Sequence, residues 1–170
     1  MCDPLKLLLE IAKEKTVPGK WDNQPLLLIK IMANSTKGDL GEIFIARYCK
    51  ALGFKVSDKI SRLGDYDVKI NGDEFEVKMA TEDIGGSFQF NHIRYDYKYD
   101  WILCLGIAHA EILFEIYSKS DLVTGNAGNL VSMGRGQNSS FKLTKRKDSL
   151  HPIAKLKKRI SALKKAKKRR

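Results

Sequence analysis

Gly64-Asp65-Tyr66-Asp67-Val68-Lys69-Ile70-Asn71-Gly72-Asp73-Glu74-Phe75-Glu76-Val77-Lys78-Met79-Ala80 is the stretch on which the fold turns. Asn-Gly between two alternating runs is the strongest short-range hairpin signal, because both central residues of a type I′ turn need positive φ. A two-residue turn sets Ile70 opposite Asp73, Lys69 opposite Glu74, Val68 opposite Phe75 and Asp67 opposite Glu76. Side chains alternate along a strand, so Val68, Ile70, Phe75, Val77 and Met79 share one face. Asp65, Asp67, Glu76 and Lys78 share the other. Directly opposed residues bring their Cβ atoms to roughly 4.5–5.5 Å, where like charges are unfavourable. A divalent cation between Asp67 and Glu76 reverses the sign of that interaction. The hairpin therefore reads as a metal site with a lysine beside it.

Upstream, Pro4 to Lys15 carries Leu5, Leu8, Leu9 and Ala12 at helical spacing. Thr16 to Gln24 is a loop, and Pro25 to Ala33 a short apolar helix opened by its proline. Ser35 to Asp39 starts a further helix that runs to about Leu52, with Gly53 as its cap. Phe54 to Val56 reads as an edge strand, and the hairpin supplies strands near 66–70 and 74–80. Downstream, Phe88 to Tyr99 mixes aromatic and polar residues without a clear period. Trp101–Ile107 and Glu111–Tyr117 are strands, Ser118 to Val123 starts a short helix, and Gly125 to Ser140 is a loop. Phe141 to Leu143 is a last strand, and Pro152 to Ala166 a helix with Ile153, Leu156, Ile160 and Leu163 in a narrow stripe. This order predicts an α/β or α+β chain with a central mixed β-sheet flanked by helices.

The charge is concentrated at one end. Lys142 to Arg170 holds 14 Lys and Arg against the single acid Asp148, while residues 1–141 carry about −2 of the chain's +11. Such a segment suits a polyanion, of which nucleic acid is the commonest inside cells, although a solvated basic tail has the same composition. No run approaches the roughly 18 apolar residues of a membrane span. Cys2, Cys49 and Cys104 are scattered, without zinc-ligand spacing, which fits a reducing cytoplasmic setting.

Phosphodiester hydrolysis needs an activated water, neutralised phosphoryl charge and a protonated leaving oxygen. A magnesium ion on carboxylates serves the first two, and it prefers oxygen ligands while keeping several waters. Asp67, Glu76 and the Val77 carbonyl form such a ligand set, with Mn2+ as a substitute ion. Lys78, on the same face as Glu76, is placed to orient the attacking water and stabilise the phosphate.

At Asp67 and Glu76-Val77-Lys78 the chain resembles the PD-(D/E)xK nuclease superfamily, which includes many type II restriction endonucleases. The residue before Asp67 is Tyr66, so the motif's proline is missing, and Asp65 stands as the alternative acid. Gly38-Asp39-Leu40-Gly41-Glu42-Ile43-Phe44-Ile45-Ala46-Arg47 resembles the early helix of that family whose glutamate points at the metal. The other reading of Glu42 is an exposed acid favourable to the helix dipole. The resemblance covers about residues 38–117 and implies a magnesium-dependent endonuclease with a restriction-endonuclease-like fold. Residues 1–150 then form the nuclease domain and 151–170 a basic amphipathic C-terminal helix or tail.

Phe88-Gln89-Phe90-Asn91-His92-Ile93-Arg94-Tyr95 resembles the Gln/Asn-rich stretch after the acid-x-Lys strand of several restriction enzymes. Gln89, Asn91, His92 and Arg94 are its candidate DNA contacts, joined by Arg135 in the Gly/Asn/Ser loop and by Lys157 and Lys158 in the basic helix. The same stretch also fits a core strand with Phe88, Phe90 and Ile93 inward. The resulting expectation is a magnesium-dependent endonuclease cutting double-stranded DNA as a homodimer or higher homo-oligomer, of restriction type. A junction-resolving or repair nuclease is the alternative within the class, and a non-catalytic nucleic-acid-binding protein the alternative outside it.

Overall fold

The computed structural model describes residues 4–15, 19–57, 66–94, 96–134 and 140–167. Its helices are α1 (Pro4–Lys15), α2 (Leu27–Ile31), α3 (Asn34–Ala51), α4 (Lys119–Thr124) and α5 (Leu156–Lys167). The strands are β1 (Val68–Ile70), β2 (Asp73–Thr81), β3 (Ser87–Ile93), β4 (Trp101–Ile107), β5 (Ile112–Ser118), β6 (Leu130–Ser132), β7 (Phe141–Arg146) and β8 (His151–Pro152). They form a five-stranded sheet in the order β1-β2-β4-β5-β8 and a three-stranded sheet in the order β3-β7-β6. The chain is a mixed α+β fold with a mixed central sheet flanked by helices. Among the described residues only β2 and β4 run parallel, and the connection between them passes through β3 in the second sheet rather than through a helix.

Each face of the central sheet has its own core. Phe75 and Val77 of β2, Leu103 and Leu105 of β4, and Phe114 and Ile116 of β5 pack against Ile45 and Cys49 of α3 and Leu156, Ile160 and Leu163 of α5. The opposite face, with Ala80, Ile102, Cys104 and Leu113, meets Phe88, Phe90 and Ile93 of β3, Leu143 of β7 and Leu122 of α4. β4 is thus covered on both sides, which is why Trp-Ile-Leu-Cys-Leu-Gly-Ile reads as a continuous apolar run rather than an alternating one. The short α4 is closed at its start by a capping box between Ser118 and Asp121.

Several sequence expectations change or are resolved here, and β6 falls inside the expected loop from Gly125 to Ser140. The strand at Phe54–Val56 is a single bridge from Val56 to Ile70. The first hairpin strand begins at Val68 rather than near residue 66. Phe88 to Tyr99, which had no clear period, supplies β3. β8 pairs with β5, and the apolar stripe of α5 enters the same core as α3. The leucines of α1 contrast with that stripe, since Leu7, Leu8, Leu9 and Ile11 are exposed. Among the described residues, no helix is long and apolar enough to cross a membrane.

Candidate active site at the open edge of the hairpin

The turn has the expected form: Asn71 and Gly72 both lie in the left-handed region, at φ 54° and 95°. The ladder pairs Val68 with Phe75, Lys69 with Glu74 and Ile70 with Asp73, the register read from the sequence. β1 then stops. The Asp67 N–H donates to the Phe75 carbonyl at 2.9 Å, one residue out of phase with the ladder, in the manner of a bulge. Its side chain turns onto the edge that β1 has vacated, where Oδ2 accepts the Val77 N–H at 2.7 Å. N–H and C=O of one residue leave the same side of a strand, so the Val77 carbonyl faces this edge too.

Glu76 and Lys78 project from the face of β2 opposite to Phe75 and Val77. Glu76 is only 3% exposed, and the Lys78 ammonium donates a hydrogen bond to its Oε1. Asp67 and Glu76 lie close enough for each to affect the other's titration. Burial pushes both acids above their ordinary values. For Asp67 the Val77 N–H and Lys78 oppose the rise; for Glu76, Lys78 opposes it and Asp67 adds to it.

Glu42 arrives from α3, and a glycine explains how. A Cβ on Gly41 would sit 2.9 Å from the Met79 Cβ, so the helix packs on β2 at a distance that only glycine permits. That contact holds Glu42 beside the hairpin acids. Its carboxyl is pushed up to about 7, first by burial and then by the Asp67 charge, against the opposing pull of Lys78.

A cleft of about 330 Å³ opens between α3, β2 and β3. It is lined by Glu42, Val77 and Lys78, and also by Gln89, Asn91 and His92. The polar residues of β3 therefore come to the same cavity as the hairpin chemistry. The register of β3 on β7 shifts between Phe90 and Ile93, and His92 takes φ 58°, a left-handed conformation uncommon outside glycine. That irregularity exposes Asn91 and His92 in succession. Two further lining residues, Asn34 and Lys37, escaped sequence reading. Their signal was helical spacing, since Asn34, Lys37 and Gly41-Glu42 recur at the intervals of one helix face.

Other expected contacts lie elsewhere. Arg94 is committed to Asp96 through two hydrogen bonds, of 2.9 and 2.6 Å, and its guanidinium stacks over Tyr97. Lys157 and Lys158 are exposed on α5 and do not line the cleft. Asp65 and Arg135 fall outside the described residues.

Among the described residues, no group of three or more His, Cys, Asp or Glu is arranged as a metal site. The donor set at the hairpin nevertheless fits magnesium, which takes one or two carboxylates and completes its shell with water and substrate oxygens. The half-buried Asp67 and the buried Glu76 both rise above their ordinary values, an environment that a bound cation would relieve, and the Val77 carbonyl stands at the same edge.

No protein-family profile matches the chain, and no curated protein matches it either. Among solved structures, the chain is similar to a bacterial homing endonuclease, I-Ssp6803I, at 13% identity. The alignment covers 69% of this chain and 82% of that one, with a TM-score of 0.46.

Proposed function

We propose that this chain is a metal-dependent endonuclease of the PD-(D/E)xK type acting on double-stranded DNA. The observation that carries the reading is the Asp67 carboxylate held on the Val77 N–H at an open strand edge, with the buried Glu76 and the Lys78 ammonium bonded to it on the same strand. Two acids and a lysine gathered on one strand edge beside a cleft that Lys78 lines are poorly explained by folding stability, since burying them costs more than burying apolar residues. Magnesium or manganese, when bound, supplies charge neutralisation on the phosphoryl group and a lowered water pKa.

The protein's own groups have distinct tasks. Asp67, Glu76 and the Val77 carbonyl hold the ion. Lys78 donates to a non-bridging phosphate oxygen and orients the attacking water. Glu42, near its titration point, is a proton acceptor or an outer partner of the ion's water shell. Gln89, Asn91 and His92 line the path by which DNA reaches the cleft.

The finer reading is a type II restriction enzyme that cuts both strands as a homodimer or higher homo-oligomer, one active site per chain. The exposed leucines of α1 support self-association. A junction-resolving or repair nuclease would use the same residues, and a panel of linear and branched duplexes separates the two. The test of the class is digestion of plasmid with magnesium or with EDTA. Cleavage that requires the metal and falls by about 10²- to 10³-fold in Lys78→Ala supports the proposal. Metal-independent retardation without cleavage would favour a binding protein instead.

A further inference from the structure

Pairing of β3 with β7 sets Ser87 opposite Arg146 and Gln89 opposite Thr144, while Phe88 faces Lys145 and Phe90 faces Leu143. Directly opposed residues share a face. Phe88, Phe90 and Leu143 are fully buried against the central sheet, so Gln89, Thr144 and Arg146 point the other way and are exposed. Asn91 continues that row on β3, and Lys142 continues it on β7, opposite Val131 of β6. The outer face of this sheet is thus built of amides, a hydroxyl and two cations, without a carboxylate.

Two features distinguish it from an ordinary solvated face. Its polar side chains are uncommitted: among the described residues, those of Gln89, Asn91, Lys142, Thr144 and Arg146 make no hydrogen bond or ion pair. Sheets that use charge for stability place opposite signs across from one another, as Lys69 and Glu74 do in the hairpin, 2.9 Å apart. The face is also continuous with the cleft, because Gln89 and Asn91 line both.

We infer that the outer face of the β3-β7-β6 sheet enters the major groove of duplex DNA and reads base sequence through Gln89, Asn91, Lys142, Thr144 and Arg146. This deepens the nuclease proposal and rests on it. Strands lie about 4.8 Å apart, so the β3-β7 pair that carries all five residues has the width of the two-stranded ribbon that a groove about 12 Å wide admits. Outward residues on one strand recur at about 6.7 Å, close to two base-pair steps of about 3.4 Å. The chemistry is that of direct readout: amides pair with the adenine edge, Arg and Lys with that of guanine, and Val131 is suited to a thymine methyl. DNA seated this way runs past Gln89 and Asn91 and brings a phosphate to the Lys78 side of the cleft.

The test is selection from a random duplex library by Lys78→Ala protein in calcium, alone and combined with Gln89→Ala, Thr144→Ala or Arg146→Ala, followed by sequencing of bound DNA. The parent is expected to enrich a motif. Each added substitution relaxes preference at one or two positions by roughly 5- to 150-fold and leaves the others intact, the discrimination that one well-made base pairing supplies. A motif unchanged by all three, or no motif at all, overturns the inference, and so does a loss of affinity that is uniform across sequences. Cleavage by the wild-type protein is scored separately. A protein that selects through this face yet never cuts refutes the nuclease reading alone, and one that cuts with a motif indifferent to these residues refutes the surface alone.

Discussion

The Asp67 carboxylate accepts the Val77 backbone N–H at 2.7 Å, across the gap left where β1 ends. An edge N–H that water or a neighbouring strand would otherwise satisfy is taken by an acid, which fixes that acid beside Glu76. Lys78 completes the arrangement. Replacing Lys78 by Ala is expected to lower the cleavage rate by about 10²- to 10³-fold, the usual loss for one electrostatic group aimed at a reacting phosphate or oxyanion. DNA affinity measured by anisotropy should change little. Wild-type cleavage by the variant would contradict the assignment.

The glycines of α3 predict opposite effects from the same substitution. Gly41→Ala pushes a Cβ onto Met79 and should destabilise by about 1–3 kcal/mol, the cost of overpacking. It should also weaken metal uptake by moving Glu42. Gly38 has open space where its Cβ would be, so Gly38→Ala should gain up to about 1 kcal/mol from helix propensity. Urea unfolding of both variants measures the pair, and equal shifts of one sign would contradict the packing argument.

The hairpin was legible because Asn71-Gly72 admits few alternatives and the alternation on either side is regular. The second sheet was legible only in part: Phe88, Phe90 and Ile93 inward was one of two readings of their stretch, and Phe141 to Leu143 was expected as a strand. In β3 the side chains of Phe88 and Phe90 point inward, but the register shift before Ile93 exposes both Asn91 and His92 and destroys the period of two. β6 has only three residues inside a Gly/Asn-rich stretch, too few to show a period at all. The basic end of the chain was legible as a helix, because Leu156, Ile160 and Leu163 recur at the spacing of one stripe, which the structure buries. Glu42 was found because Gly-x-x-Gly-Glu sits on a helix entering the sheet, while Lys37 one turn earlier passed as an ordinary surface cation.

Burial of α5 separates stability from DNA affinity. Ile160→Ala should cost about 2–5 kcal/mol, as for other large-to-small core changes, and removal of residues 153–170 should unfold the protein rather than only weaken binding. Lys157→Gln with Lys158→Gln should fold normally. If both lysines touch phosphates, the slope of log affinity against log salt falls by about 1.8, near 0.9 for each phosphate no longer neutralised. A truncated chain with native melting behaviour would contradict the shared core.

Without metal, stability should fall as pH rises through the window set by Glu42. Its unfolded value is 4.5 and its folded value about 7, so between these the native state holds the extra proton and raising pH favours unfolding. Asp67 and Glu76, also raised, act with the same sign. Melting temperatures in EDTA should therefore decline across this range. Glu42→Gln should flatten the decline, and magnesium should stabilise more at the upper end than at the lower. A wild-type profile that rises with pH would contradict the electrostatics.

The most direct measurement is calorimetric titration of magnesium, and of manganese, into the protein with duplex DNA present. The account predicts ion uptake in the wild-type protein that is lost in Asp67→Asn and in Glu76→Gln, with folding of both variants intact by circular dichroism. Absence of uptake, or uptake unaffected by neutralising either acid, would contradict a cation site between them.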